Sequence, residues 1–313
     1  MSEEQVAGAV VVVNYASSQL IEDNLVPLRR SLPPGVAIVI VDNFSTTAER
    51  AAIENLTARN AIDLVALSEN SGFGVGVGKG VDRAVAAGSD AIVVLNPDAV
   101  ADASTVLRLL ELAREDRTCM IAPRILRSDG SVWFDGSDLH LEEGRIKATR
   151  RRREGDVVVE WLTGACIAIS VDLWRRVGGF DDDYFLYWED VDLSWRVREA
   201  GGRLEVVRDL TVVHDEGGTQ RERPLVGAGA KSNLYYYYNV RNRLLFAAKH
   251  LEQAAIERWL AVSGDIAKEV VLQGGRRQFL RHPIAPWLAA RRGLRDGRDA
   301  VAKRLATGQV AGK

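Results

Sequence analysis

The sequence predicts an α/β fold with a mostly parallel central sheet, flanking helices and a helical C-terminal extension. Three observations carry that expectation. Continuous aliphatic runs at Val10–Asn14, Val36–Val41 and Ala91–Leu95 suit parallel strands buried on both faces. Helical segments separate them at the spacing of βαβ units, whose crossovers are right-handed. Beyond about residue 226 the chain reads as helical, with an aromatic and basic stretch from Leu234 to Leu251.

Taken in order, Ser17–Ser31 is predicted helical and Pro33-Pro34-Gly35 a turn. Thr46–Arg59 is a helix, Leu64–Leu67 a short strand, and Glu69–Gly80 a glycine-rich loop leading into a helix over Val81–Ala87. Asp129–Gly155 is polar and is expected to be irregular. Val157–Ser170 is strand-like and Val171–Val177 a short helix. Asp190–Ala200 is a helix, with Asp192 expected on a different face from Asp190. Leu204–Val213 holds one or two strands, the last ending at His214.

Composition excludes several classes. A formal net charge of −2 argues against a nucleic-acid binder. Cys119 and Cys166 are the two cysteines, too few and too far apart for a disulfide scaffold or a cysteine zinc site, and they suit a reducing cytoplasm. The acidic start Ser2-Glu3-Glu4 is not a secretory signal, and no run of about 18 apolar residues predicts a membrane span. Residues 276–304 carry nine Arg or Lys and two Asp, a pattern for peripheral contact with an anionic membrane or for a solvated helix face. A homodimer is compatible with the chain.

In an open α/β sheet, ligands sit beyond the carboxyl ends of the strands. Three polar groups fall there: Asn14-Tyr15, Asp42-Asn43 and Asn96-Pro97-Asp98. An Asx turn is the alternative for each. A carboxylate at a strand tip such as Asp98 suits Mg²⁺ or Mn²⁺, which take hard oxygen ligands. The glycine-rich stretch Asn70–Gly80 fits neither a dinucleotide fingerprint nor a P-loop in any frame. It remains either a segment whose backbone approaches a nucleotide closely, before a helix start that favours phosphate, or a mobile loop. Glu189 and Asp190 lie beside Tyr187 and Trp188, and apolar rings raise a carboxylate pKa, which makes the pair candidates for a general base. His214 is either structural or a metal ligand.

Seven motifs in order resemble family 2 glycosyltransferases of the GT-A fold, in the rhamnosyltransferase-like branch. They are Val12-Val13-Asn14-Tyr15, Val41-Asp42-Asn43-x-Ser45, Asn70-x-Gly72-Phe73-Gly74, Asn96-Pro97-Asp98, Thr163-Gly164-Ala165, Gly178-Gly179-Phe180-Asp181 and Tyr187-x-Glu189-Asp190-x-Asp192-Leu193. The match spans Val10 to Gly218. Arg241-Asn242-Arg243 is similar to the family's C-terminal part.

The resemblance implies a catalytic domain over 1–225 and a helical, basic extension over 226–313. It implies an inverting, metal-dependent transferase that takes a sugar from a nucleotide diphosphate donor, dTDP-rhamnose ahead of a UDP-sugar. Asp42 would contact the base or ribose, with Asn14, Tyr15, Asn43 and Asn96 beside it, and Asn70, Gly72, Phe73 and Gly74 would line the nucleotide pocket. Asp98, with His214, would hold a divalent cation (Mg²⁺ or Mn²⁺). Asp190 would be the base, next to Glu189, and Thr163, Gly164, Ala165 and Trp188 would shape the acceptor side. Val77 and Gly78 stand where relatives carry Asn-rich residues, so contacts there are expected to differ.

The acceptor would be a cell-surface polysaccharide precursor, such as a lipid-linked sugar at the inner face of the membrane, or alternatively a soluble small molecule. Two other classes fit less well. A nucleotide-sugar pyrophosphorylase would carry its glycine-rich segment near the N-terminus, and a non-catalytic binding module would have lost the acidic pair Glu189 and Asp190.

Overall fold

The computed structural model describes residues 8–214, 231–280 and 283–307. Ser2 to Glu4, Asp215 to Gly218, the 225/226 boundary and Arg281 lie outside the described residues, as do the side chains of Arg276 and Arg277.

Strands β1 (Gly8–Asn14), β2 (Val36–Asp42), β3 (Asp63–Ala66) and β4 (Ala91–Leu95) alternate with helices α1 (Ser18–Ser31), α2 (Thr47–Asn60) and α3 (Phe73–Ala86). They pair in parallel in the order β3-β2-β1-β4. Then come β5 (Ala99–Val100), α4 (Ala103–Glu115), β6 (Cys119–Leu126) and β7 (Val132–Phe134). Next are β8 (Ser137–His140), β9 (Arg145–Ala148), β10 (Val158–Trp161), β11 (Cys166–Ser170), α5 (Val171–Val177), α6 (Glu189–Glu199) and β12 (Arg203–His214). The helical part comprises α7 (Asn233–His250), α8 (Gln253–Ala261), α9 (Ser263–Leu272) and α10 (Ala285–Thr307). The main sheet runs β3-β2-β1-β4-β11-β6-β12-β5, with β7 on β6. Only β11, β5 and β7 oppose the common direction, so the sheet is mostly parallel as expected.

Three local expectations need correction. The glycine-rich segment is not a loop up to Gly80, because α3 already starts at Phe73. Glycine is a poor helix former, but here it lets the helix lie close to the sheet. A Cβ on Gly76 would stand 3.1 Å from Val13, and one on Gly80 would collide with Val11 and stand 2.9 Å from Val41. Asp129–Gly155 is not irregular: it supplies β7, β8 and β9, and β8 and β9 join β10 in a separate antiparallel sheet ordered β10-β8-β9. Val157–Ser170 is not one strand. It breaks at Leu162–Ala165 into β10 and β11, which belong to different sheets.

The helical extension shares a core with the rest of the chain. Leu139 of β8, Tyr184, Trp188 and Val191 pack with Leu244, Phe246, Trp259 and Val301 in one buried cluster. The larger core fills both faces of the main sheet, where β1 and β4 are buried along their whole length.

The close approach of α3 yields a paired prediction. Gly80→Ala should cost about 1–3 kcal/mol by overpacking against Val11 and Val41. Gly78 has nothing within 4 Å of an added Cβ. Gly78→Ala should therefore stabilise the protein by up to about 1 kcal/mol, through helix propensity alone. Thermal or urea denaturation of both variants measures the contrast.

Candidate active site

The ends of β1 and β2 are joined side by side. Asn14 and Asp42 are register partners, and Asn14 Nδ2 donates to Asp42 Oδ1 at 2.8 Å. The other oxygen, Asp42 Oδ2, is ion-paired with Arg50 from the first turn of α2, and Arg50 also donates to the Leu67 carbonyl. A fully buried carboxylate needs such compensation. Asp42 thus has both oxygens engaged at the carboxyl end of β2, and Arg50 is the more accessible charge there. Arg50 was missed because nothing local in the helix sequence distinguishes it from a surface arginine. Asn43 holds the next segment: its Nδ2 donates to Asn70 Oδ1 and to the Gly72 carbonyl, each at 2.9 Å, and its Oδ1 accepts from Ser71 N at 2.8 Å. Tyr15 is exposed at the rim.

At the start of α3, Gly72 has φ +90° and its Cα faces the Phe185 backbone, so no side chain fits. Gly74 packs on Phe180, with an added Cβ 3.0 Å from the Phe180 Cβ. Phe73 N donates to the Phe185 carbonyl at 2.9 Å, and the Phe73 ring lies 5.8 Å from that of Phe180. A Cβ on Gly164 would be 3.5 Å from Phe73 Cε1 and 3.6 Å from Asp190 Cβ, which puts Gly164 between the two. Gly164 N donates to Asp190 Oδ2 at 2.9 Å. Its neighbour Ala165 accepts from Asn96 N at 2.9 Å, and Thr163 Oγ1 accepts from Ala165 N at 3.3 Å. The turn Thr163-Gly164-Ala165 therefore ties the tip of β4 to Asp190.

Antiparallel pairing of β5 with β12 sets His214 opposite Ala99, beside Asp98. His214 Nε2 and Asp98 Oδ1 lie 3.0 Å apart, with side chains only 7% and 6% exposed. Trp133 packs edge-on against the imidazole with centroids 4.6 Å apart, and the buried His214 Nδ1 has no hydrogen bond among the described residues. The pair fits a divalent cation. With bonds of about 2.1 Å, neighbouring octahedral ligands stand about 3 Å apart. Among the described residues no third His, Cys, Asp or Glu completes such a site.

The acidic start of α6 is strained and desolvated. Tyr187 and Trp188 have φ of +65° and +75°, a left-handed turn that non-glycine residues rarely adopt. Burial pushes the Asp190 carboxyl up to about 6, against the hydrogen bonds from Gly164 N and Val191 N that favour its charge. Burial, then the charges of Asp190 and Asp192, raise Glu189 well above the usual range, and its Oε2 has no partner among the described residues. Asp192 points elsewhere, as expected. Burial pushes it upward too, but His250 at 2.6 Å and Arg196 at 2.7 Å outweigh that and hold it below the ordinary value. Trp188 is a correction: its ring is buried against Phe246 and Trp259, with centroids 5.7 and 6.4 Å away, so it is core and not an open acceptor wall.

The model of the family described as Glycosyltransferase like family 2 matches residues 7–226. The chain belongs to that family. An N-acetylglucosaminyl-diphospho-decaprenol L-rhamnosyltransferase of Mycobacterium tuberculosis is 27% identical over 73% of this chain and 82% of its own length. A low-salt glycan biosynthesis hexosyltransferase of Haloferax volcanii is 22% identical over 80% and 78%. Among solved structures, GalNAc-T7 with UDP, GalNAc and Mn²⁺ superposes with a TM-score of 0.62 at 14% identity, covering 98% of this chain and 58% of that one. The Pyrobaculum calidifontis mannosyltransferase with GDP-Man and Mn²⁺ gives 0.52 at 15% identity, covering 98% and 89%. The fold of this family 2 glycosyltransferase is GT-A, and its sequence relatives include rhamnosyltransferases.

The contribution of Glu189 and Asp190 to stability falls with rising pH. Asp190 binds its proton more tightly folded (about 6) than at its ordinary 3.8, so its contribution is full below about pH 4 and is lost as pH rises through about 6. Glu189 acts in the same direction. Asp190→Asn and Glu189→Gln should each raise Tm at pH 8 by a few degrees, and the gain should vanish near pH 4. Thermal melts across pH check this; parallel wild-type and variant curves would refute it.

Proposed function

We propose that this family 2 glycosyltransferase is an inverting, metal-dependent hexosyltransferase acting at the inner face of a membrane. It would move a sugar from a nucleotide diphosphate, dTDP-rhamnose ahead of UDP-sugars, to a hydroxyl of a lipid-linked polysaccharide precursor. The observation that carries the chemistry is Asp190, a desolvated carboxylate that Gly164 holds on a turn shared with the tip of β4. Rhamnosyltransferase relatives, one of them named for a decaprenol-linked acceptor, support the donor and acceptor classes.

The acceptor oxygen attacks the anomeric carbon from the face opposite the diphosphate. Its proton passes to Asp190, the bond from carbon to the diphosphate oxygen breaks, and the anomeric configuration inverts. Asn43 keeps the Asn70–Gly72 segment and the start of α3 in place for the nucleotide, and Arg50 sets the charge beside it. Asp98 and His214 would hold a divalent cation, which when bound neutralises charge on the leaving diphosphate.

Incubation with a panel of nucleotide sugars, with and without Mn²⁺, tests donor and metal. Asp190→Asn should lower transfer by about 10² to 10⁴ while donor affinity changes little. The wild-type rate should rise with pH through about 6, as Asp190 loses its proton. Full transfer after exhaustive EDTA treatment would refute the metal role. Asp192→Asn is not a neutral control, because it breaks the pairs with Arg196 and His250.

The membrane side of the proposal rests on the start of α10. Leu280, Ile284 and Leu288 are 86%, 62% and 52% exposed, and Trp287 stands beside them. Arg291 and Arg292 follow on the same exposed face, with no carboxylate partner among the described residues. An apolar tip backed by arginines suits anionic lipid. A second copy meeting the patch about a twofold axis would set arginine against arginine. The protein should co-sediment with anionic but not neutral vesicles, less so at high salt, and Ile284→Asp/Leu288→Asp should weaken this about tenfold. Equal sedimentation of both proteins would overturn it.

A further inference from the structure

The segment that delivers Asp190 is gripped along its whole length by one face of α7. Tyr187 meets Tyr235 edge-on at 5.2 Å, and Phe185 stacks on Tyr238 at 5.3 Å. Trp188 packs on Phe246, Lys249 pairs with Asp181 at 2.7 Å and Asp183 at 2.6 Å, and His250 meets Asp192. These α7 residues recur every three or four positions, which places them on a single stripe.

At the centre of the stripe is Asn242, fully buried. Its Nδ2 donates to the Leu186 carbonyl at 2.9 Å and to the Tyr187 carbonyl at 2.7 Å. Its Oδ1 accepts from Arg241 at 2.6 Å, and Arg241 also donates to the Asp183 carbonyl at 3.0 Å. Three successive carbonyls are therefore spoken for: Phe185 by the start of α3, Leu186 and Tyr187 by Asn242. The two residues forced into the left-handed region are Tyr187, the last of these anchors, and Trp188, which directly precedes Glu189-Asp190. A left-handed pair of aromatic residues persists only where its surroundings over-determine it, and strain of this kind clusters where function needs a fixed geometry.

We infer that Asn242 is a positioning residue for the transfer reaction: by pinning the Leu186 and Tyr187 carbonyls it enforces the left-handed turn that aims Asp190 at Gly164 and the donor end of the sheet. This rests on Asp190 as the base. Arg241 acts one step behind by orienting the Asn242 amide. The neighbouring Arg243 does a different job on the same helix. It donates to the carbonyls of Gly144, Trp259 and Glu143 and lies over the Trp259 ring at 4.7 Å, so it fastens α7 to the β8–β9 hairpin and α8 without touching the turn.

That contrast supplies the test, read in full-length protein at saturating donor and acceptor. Asn242→Ala should lower kcat about 10- to 100-fold, the scale of a displaced catalytic group, while nucleotide affinity by calorimetry stays within about threefold. Arg241→Met, at a partly exposed site, should show the same signature at about 3- to 10-fold and keeps the proposal testable if Asn242→Ala does not fold. Arg243→Met should lower Tm at least as much but leave kcat of the folded protein within about threefold. Asp190→Asn in the same assay separates the two layers. If it loses transfer while Asn242→Ala and Arg241→Met keep kcat, or lose no more than Arg243→Met, the positioning role is overturned and the base stands. If Asp190→Asn retains transfer, the base and the positioning role fall together.

Discussion

Holding two adjacent carboxyl groups, Glu189 buried and Asp190 half-buried, at the start of one helix is the constraint around which the rest of this molecule is arranged. Burial alone drives both toward their protonated forms. What holds Asp190 near the point of ionisation is a small set of donors, Gly164 N and Val191 N, at the start of a helix whose dipole favours negative charge. Glu189 has no such help for its Oε2. The site is therefore expensive to fold, and its stability has to come from elsewhere in the chain.

That support has two sources. On one side, glycines at 76 and 80 allow α3 to settle on β1 and β2, which brings its first residues close enough for Phe73 N to reach the Phe185 carbonyl. On the other side, α7 contributes the buried partners of Tyr184, Trp188 and Asp192 and closes a hydrophobic cluster with β8 and α8. The segment from Asp181 to Asp192 is thus held between the start of α3 and the helical part. An extension that only followed the catalytic unit could not do this, and the shared core explains why α7 carries aromatic and basic residues at helical spacing.

The second polar centre depends on a different long-range event. Asp98 and His214 are separated by more than a hundred positions in the chain and meet because β12 runs back along β6 and ends against the two-residue strand β5. The turn Thr163-Gly164-Ala165 then connects the tip of β4, next to Asp98, with Asp190. The Asp98–His214 pair and the start of α6 are in this way tied to one sheet, the kind of rigid mounting that precise chemistry demands.

Elements with a strong local signal were legible in the sequence. The aliphatic strands β1, β2 and β4, the helices α1 and α2, and the polar residues at the strand tips follow from side-chain pattern and from the rule that ligands gather at carboxyl ends. Helix α4, with Val106, Leu109, Leu110 and Ala113 buried, and strand β6 carried equally clear patterns that were not taken up. Other features had no local signal to read. Glycine disfavours a helix by its backbone entropy, so only the nearby valines of β1 and β2 decide that residues 73–80 are helical. The short polar strand β8 gains the burial of Leu139 from helices far along the chain. Trp188 looked like a wall beside a carboxylate, but the left-handed turn rotates it into the core. Local sequence determined which residues form elements and which carry charge. Tertiary structure alone decided which charges are buried and paired, because desolvation and ion pairing depend on neighbours that the chain brings together only when folded.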